Sequence, residues 1–192
     1  FYDLNNDNST LAPGDIKYVD INGDHVINWR DQVEIGKGSM HHWMAGLNLA
    51  FGWKGFDLSA LIQGAWGYTI AMSYDGNTAT YCDLYYDIFR NANPDALVCR
   101  PSGAETNSWY VNDFSYKNAA YARLKNAAIG YTIPERISRK AGIARFRVYA
   151  AGMNLFTLSN VSKYGVDPEV TGIVGHTYPQ QYTLSLGCNI TL

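Results

Sequence analysis

The stretch that decides the fold is residues 43–68, WMAGLNLAFGWKGFDLSALIQGAWGY. Apolar residues occupy alternate positions on both sides of a turn that the sequence predicts at Gly52 to Gly55. Before the turn they are Trp43, Ala45, Leu47, Leu49, Phe51 and Trp53; after it they are Phe56, Leu58, Ala60, Ile62, Trp66 and Tyr68. Alternation over about ten residues, without a helical period, predicts a β-hairpin with one apolar and one polar face.

The aromatic residues of this hairpin are spaced like those of a membrane barrel. Trp43 and Trp53 lie on the same face, and Phe56 and Trp66 repeat the spacing on the return strand. At about 3.3 Å per residue and a tilt of about 45°, ten residues span about 23 Å. This height is close to the apolar band of an outer-membrane barrel with its two aromatic girdles. An ordinary soluble sheet with a buried aromatic core is the alternative.

Composition favours a barrel wall over a soluble domain. Only 17% of the 192 residues are charged, while 14% are aromatic and 15 are tyrosines. The net charge of −2 gives no argument for nucleic-acid binding, and no basic cluster with interleaved aromatic residues occurs. The sequence contains no run of 18 apolar residues, so it predicts no transmembrane helix. The chain opens at Phe1 without a signal peptide, so we expect a mature piece or a fragment of a longer protein.

Three further strands are predicted, at 119–133, 145–156 and 182–192. The first needs a bulge near Asn126 or Ala127 to keep Ile129 and Tyr131 in phase with Leu124. In the second, the face with Arg145 and Arg147 must point inward, because a lipid-facing arginine at mid-depth costs about 2–4 kcal/mol. In the last, Tyr182, Leu184, Leu186, Cys188, Ile190 and Leu192 alternate with small and polar residues.

Connection lengths predict an orientation. Residues 52–55 and 134–144 are short connections, whereas 1–42, 69–118 and 157–180 are long. Outer-membrane barrels have short periplasmic turns and long outer loops, so the long segments are expected outside the cell. The predicted fold is therefore an all-β, antiparallel transmembrane barrel segment. Residues 1–42 form an extracellular loop, and residues 43–192 supply barrel strands with their loops.

Residues 20–31 have the spacing of a calcium-binding loop. Oxygen-bearing groups at positions 1, 3, 5, 7, 9 and 12 of a twelve-residue loop wrap Ca²⁺. These positions hold Asp20, Asn22, Asp24, Val26 (through its carbonyl), Asn28 and Asp31. His25 stands where a glycine usually takes the sharp turn, and Asp31 is shorter than the usual Glu. An Asx-rich turn that needs no ion is the alternative.

Cysteines and histidines predict no other metal site or catalytic centre. Cys82 and Cys99 flank a loop-like segment and are a candidate disulfide pair in an oxidising compartment, while Cys188 behaves as a small hydrophobe. No zinc spacing, catalytic motif or phosphate-binding motif occurs in a fitting context. We therefore predict that the chain is not an enzyme. The main alternative is a soluble, Ca²⁺-binding β-domain of an adhesin or a carbohydrate-binding module.

Several motifs, in order, resemble the C-terminal part of the SusC/RagA family of TonB-dependent outer-membrane transporters. They are PGDIKYVDINGD at 13–24, GFDLS at 55–59, RLKN at 123–126, GYTIP at 130–134, RVY at 147–149, NLFT at 154–157, GVDPE at 165–169 and Tyr178-Pro179. Two residues depart from the family pattern: His25 replaces a glycine, and Leu192 ends a strand that usually ends in Phe.

This resemblance implies that the chain forms the last strands of a plugged barrel of about 22 strands in the cell outer membrane. The whole protein is then expected to import glycans or peptides with a SusD-like surface lipoprotein. Its energy would come from the TonB complex, contacted through an N-terminal part that lies outside this sequence. Tyr85, Tyr86, Trp109 and Tyr110 are the candidate substrate contacts, because exposed aromatic rings stack on sugars. Loop packing or contact with the lipoprotein is the alternative role of these four residues.

Overall fold

A computed structural model of the protein describes residues 2–71, 112–169 and 180–192. These residues belong to two compact units that interleave along the chain. The described parts of the first unit are residues 2–40, 68–71, 112–118 and 161–169; those of the second are 41–67, 119–160 and 180–192. The division predicted between residues 42 and 43 stays a prediction.

Seven strands occur in the described residues. They are β1 (Trp43–Trp53), β2 (Phe56–Trp66), β3 (Thr69–Ala71), β4 (Tyr116–Asn118), β5 (Tyr121–Thr132), β6 (Arg145–Ser159) and β7 (Thr183–Thr191). The second unit contains one antiparallel five-stranded sheet in the order β1-β2-β5-β6-β7. Within the described residues, β1 and β7 are its edge strands. The predicted all-β antiparallel fold is confirmed.

The β1–β2 hairpin is tighter than predicted. Its strands pair in register from Trp43 opposite Trp66 to Trp53 opposite Phe56. Only Lys54 and Gly55 form the turn, with φ of 48° and 88°. Two successive positive φ angles match the right-handed twist of the strands, so the turn needs two residues instead of the predicted four.

Tyr68 does not belong to the apolar face of the hairpin, so that part of the prediction is wrong. The strand β2 ends at Trp66, and Gly67 follows with a φ of 79°. Tyr68 is 1% exposed, and its hydroxyl donates a hydrogen bond to the Pro168 carbonyl at 2.6 Å. The chain therefore leaves the strand's alternation at a glycine, which the alternation pattern alone did not reveal.

The predicted bulge in β5 is confirmed one residue earlier than expected. Between Leu61 opposite Asn126 and Ile62 opposite Leu124, β5 has one extra residue, Lys125. A second, unpredicted bulge lies in β6, where Asn154 has a φ of 51° and its side chain donates to the Gln181 carbonyl. These bulges keep the apolar residues on one face along the whole of both strands.

The connection between β5 and β6 is short, as predicted, but it is not a simple turn. It contains the helix α1 (Glu135–Ser138) and a 3₁₀ helix at Arg139–Ala141. The connection ends at Gly142, whose φ of 74° is left-handed and suits a residue without a side chain. Basic residues dominate this connection.

The first unit is mainly irregular. Its described regular elements are the β3–β4 pair and 3₁₀ helices at Trp29–Asp31 and Ser162–Tyr164. The β3–β4 pair was not predicted, because residues 69–118 have little periodicity. Tyr68, Ile70, Val161 and Tyr164 are among its buried residues. The described part of the chain holds no helix with the length and hydropathy required to cross a membrane.

Candidate functional site

One face of the five-stranded sheet is apolar across all five strands. Cross-strand neighbours such as Leu47–Ile62, Ile62–Leu124 and Ala150–Leu186 lie on it. Its large residues are exposed, and they include Leu47 (54%), Phe51 (64%), Phe156 (58%), Leu158 (60%), Leu184 (71%) and Leu186 (87%). Outside the two bulges, no residue of the described strands on this face is charged. An apolar surface of this extent marks contact with lipid or with a partner.

Aromatic residues stand at both ends of this apolar face. Trp43 pairs with Trp66 at one end of the hairpin, and Trp53 pairs with Phe56 at the other. The Phe56 ring also contacts Tyr131 of β5, with 4.5 Å between the ring centroids. The predicted aromatic spacing on the two strands is confirmed. Rings at both borders of an apolar band are typical of a transmembrane barrel.

The opposite face carries the polar residues, including an ion pair that crosses three strands. Arg147 of β6 donates from Nε to Oδ1 of Asp57 in β2 at 2.9 Å, and from Nη2 to Oδ2. The guanidinium reaches over Gly130 of β5, where an added Cβ would lie 2.7 Å from Cζ of Arg147. The absence of a side chain at Gly130 therefore makes the pair possible. The prediction that Arg147 faces away from the apolar side is confirmed.

A second glycine on the polar face accommodates a ring. Tyr149 lies opposite Gly187, and an added Cβ at Gly187 would collide with the Tyr149 ring. The guanidinium of Arg147 is also 5.0 Å from the centroid of that ring. Sequence reasoning did not identify these glycine contacts, because they depend on the register between strands. If the strand register were known, a glycine opposite or beside a large polar residue on the next strand would indicate such a contact.

Arg123 is the most buried charged side chain of the sheet. It is 2% exposed, its Nε donates to Oγ1 of Thr157 at 2.8 Å, and its guanidinium lies 5.6 Å from the Tyr121 ring. Tyr121 and Arg123 belong to the polar face of β5, as predicted. The polar face therefore combines hydrogen-bonding groups with two arginines that contact side chains on other strands of the sheet.

The acidic loop at 20–31 closes on itself through hydrogen bonds. Both oxygens of Asp20 accept backbone N–H groups at 2.7 Å, from Gly23 and His25. Oδ1 of Asp24 accepts from Val26, and Oδ1 of Asn22 accepts from Asp24. Asp31 accepts from Ile21 and Asn28, and Asn28 donates from its side chain to the Val26 carbonyl. All six predicted ligands thus belong to one hydrogen-bonded loop.

His25 takes the backbone conformation that the usual glycine provides. Its φ is 65°, in the left-handed region that side chains rarely adopt. The departure from glycine at this position therefore leaves the sharp turn intact.

The carboxyl of Asp31 is held ionised by the loop backbone. The N–H of Asn28, and to a lesser extent those of Ile21 and Asn22, hold the pKa of this exposed carboxyl below its usual value. Its contribution to loop stability is therefore present above the usual carboxyl pKa and is lost as the pH falls through the lowered pKa.

The donor chemistry of the loop fits a hard cation, because every predicted ligand is an oxygen. Among the described residues, however, no three His, Cys, Asp or Glu side chains form a group that could hold a metal ion. The predicted calcium site is therefore neither confirmed nor contradicted, and it stays a prediction.

The side-chain amide of Asn6 connects the acidic loop to the N-terminal segment. Oδ1 of Asn6 accepts from the Ile27 N–H at 2.6 Å, and Nδ2 of Asn6 donates to the Ile27 carbonyl at 3.4 Å. Ile27 is 4% exposed. Sequence reasoning missed Asn6, because no spacing rule connects residues 21 positions apart.

Some predicted site residues lie outside the described part of the chain. They are the candidate substrate contacts Tyr85, Tyr86, Trp109 and Tyr110, and the candidate disulfide pair Cys82 and Cys99. These stay predictions. Cys188 is described, and it is a free and exposed residue of the apolar face.

Curated relatives of the chain are TonB-dependent receptors. TonB-dependent receptor P3 of Formosa agariphila is 29% identical over 198 residues, which cover 93% of this chain and 19% of the relative. TonB-dependent receptor SusC of Bacteroides thetaiotaomicron is 29% identical over 180 residues, which cover 90% of this chain and 17% of the relative. This chain is similar to a segment of these TonB-dependent receptors, as its motifs predicted. It spans about a fifth of the length of the curated relatives it matches. No family model matches it.

Solved structures support the predicted fold. The RagAB peptide importer in its open-open state matches 93% of this chain with a TM-score of 0.64 and 20% identity. The closed-closed state of the same importer matches 92% with a TM-score of 0.64. Each match covers 21% of the importer chain. The open five-stranded sheet is thus part of a larger barrel. The matched relatives are named as receptors and not as enzymes, in agreement with the prediction that the chain is not an enzyme.

Proposed function

We propose that the complete receptor is an importer in the cell outer membrane that takes up oligosaccharides or peptides by TonB-dependent transport. In this proposal, the five-stranded sheet is a section of the barrel wall. The main observation that supports this proposal is the apolar face, which is exposed and, outside the bulges, uncharged across five neighbouring strands. A soluble module would cover such a face with a second layer, so the soluble alternative is not favoured.

The partners follow from the relatives. RagAB is described as a peptide importer, and SusC is named as a TonB-dependent receptor. The receptor is proposed to work with a SusD-like surface lipoprotein over its outer opening and with the TonB complex on its periplasmic side. The aromatic residues Tyr85, Tyr86, Trp109 and Tyr110 are proposed to contact the oligosaccharide or peptide.

The proposal is tested by uptake in cells. Cells that lack the receptor gene are compared with cells in which the intact gene is restored, using fluorescent oligosaccharides and peptides. We expect receptor-dependent uptake of one of the two classes, and we expect it to stop when the proton-motive force is collapsed. The receptor should fractionate with the outer membrane. A receptor in the soluble fraction, or unchanged uptake of both classes without it, would contradict the proposal.

The loop at 20–31 is proposed to bind Ca²⁺ through the six oxygen donors named above. Terbium luminescence, excited through Trp29, measures binding directly in the complete receptor. We expect Asp24→Asn to weaken binding about tenfold or more, because ligand charge sets calcium affinity. The matched control is Asp113→Asn, an exposed aspartate outside the loop, which should leave binding unchanged. Equal affinities for both variants, or no binding by the unaltered receptor, would disprove the calcium site.

A further inference from the structure

The two short connections of the sheet lie side by side, where its strands end. The Lys54–Gly55 turn joins β1 to β2, and residues 133–144 join β5 to β6. Because β2 pairs with β5, the Thr132 N–H donates to the Gly55 carbonyl at 2.7 Å. The two connections therefore form one continuous surface, here called the short-connection edge (residues 54–55 and 133–145).

This edge is strongly basic. Its exposed cationic residues are Lys54, Arg136, Arg139, Lys140 and Arg145. Its only acidic residue is Glu135, which already forms an exposed ion pair with Arg139 at 3.0 Å. Five positive charges against one leave a net charge of +4 at the short-connection edge. An anionic partner would complement this surface.

The basic edge directly borders the apolar face. Nζ of Lys54 lies 4.9 Å from the ring centroid of Trp53, which is 60% exposed at the end of β1. Phe56 and Tyr131 are the next aromatic residues along the same end. Within the connection, Ile137 is 61% exposed beside the basic side chains. Aromatic rings, an exposed aliphatic residue and cations thus follow one another across this border.

This order of groups matches one border of a lipid bilayer. Aromatic rings lie at the interface, and Lys and Arg just beyond it attract anionic headgroups. We infer that the short-connection edge binds the headgroups of anionic phospholipids at the membrane surface. The inference rests on the proposed function, since it requires the apolar face to be in lipid. The inference adds a preference for anionic over neutral phospholipids, which an apolar barrel wall alone does not require.

The test captures lipid at this edge in the complete receptor. The receptor carries the change Ile137→p-benzoylphenylalanine and is inserted into vesicles of equal phosphatidylglycerol and phosphatidylcholine. Ultraviolet light then links the photoreactive group to neighbouring lipid, and mass spectrometry gives the ratio of the two lipids. We expect phosphatidylglycerol to be favoured about fivefold or more, the factor for a single Lys or Arg near an anionic surface. At about 0.5 M salt, the preference should fall towards one.

Two matched sets of substitutions identify the source of the preference. Lys54→Gln, Arg136→Gln, Arg139→Gln and Lys140→Gln together should bring the ratio close to one. The control set, Lys17→Gln, Arg30→Gln, Lys37→Gln and Lys163→Gln, removes the same charge from exposed residues of the first unit and should preserve the ratio. If the first set fails to fold, the salt dependence of the unaltered receptor still decides the question.

The outcomes separate this inference from the proposed function. Equal capture of both lipids, or no lipid captured by an inserted receptor, would overturn the inference and leave the importer in place. A receptor that inserts into neither neutral nor anionic vesicles would overturn the proposed function itself.

Discussion

Replacing Leu49 with arginine is expected to lower the free energy of unfolding of the membrane-inserted receptor by about 2–4 kcal/mol, the cost of a lipid-facing arginine at mid-depth. Leu49 lies near the middle of β1 opposite Ala60, and it is 49% exposed on the apolar face. No acidic residue of the described strands lies on this face to neutralise the new charge. The shift in the denaturant midpoint of the receptor in phosphatidylcholine vesicles measures this loss.

Two controls make the result specific to the apolar face and to depth. Asn48→Arg introduces the same charge one residue away on the polar face, where we expect a change within about 0.5 kcal/mol. Trp53→Arg places it on the apolar face at the end of β1, where the electrostatic cost falls to about 0–1 kcal/mol. A loss at position 48 equal to or larger than that at position 49 would show that the apolar face is not the lipid-facing one.

Much of the sheet was predictable because strand periodicity is a local property. Alternation assigned residues such as Leu49 and Arg147 to the correct faces before any strand partner was known. The bulge in β5 was predictable for a related reason: without one extra residue, Leu124 and Ile129 would fall on opposite faces. Periodicity of this kind is visible in the sequence of each strand alone.

The interactions that the sequence did not reveal depend on residues far apart in the chain. The Asp57–Arg147 pair joins positions 90 residues apart, and it requires both the register of three strands and the missing side chain at Gly130. The burial of Tyr68 depends on a carbonyl 100 residues away. A single sequence contains no record of such partners.

The candidate sites were predictable to a smaller extent. The spacing of oxygens from Asp20 to Asp31 identified a closed loop, because Asx side chains accept nearby backbone N–H groups. That spacing does not distinguish a loop closed by hydrogen bonds from one closed around an ion. The contribution of Asn6 was missed, since a side chain that satisfies a distant backbone pair has no sequence period.

Replacing Gly55 with alanine is expected to destabilise the receptor by about 2–3 kcal/mol, through backbone strain and a collision that act together. The φ of 88° costs an L-residue about 1–2 kcal/mol. The added Cβ would also lie 2.7 Å from the Thr132 carbonyl oxygen, a backbone atom whose movement is limited because Thr132 pairs with Arg147 in the β5–β6 ladder. The turn must therefore shift, which weakens the Thr132–Gly55 hydrogen bond.

Gly142→Ala is the control that separates these two effects. Gly142 has a similar φ of 74°, but an added Cβ there meets nothing within 4 Å. We expect this variant to lose only the strain, about 1 kcal/mol. Denaturant midpoints of the two variants in the same vesicles give the difference. Equal losses would mean that the hairpin turn relaxes away from Thr132 without cost, and that the β2–β5 register does not depend on the close approach at Gly55.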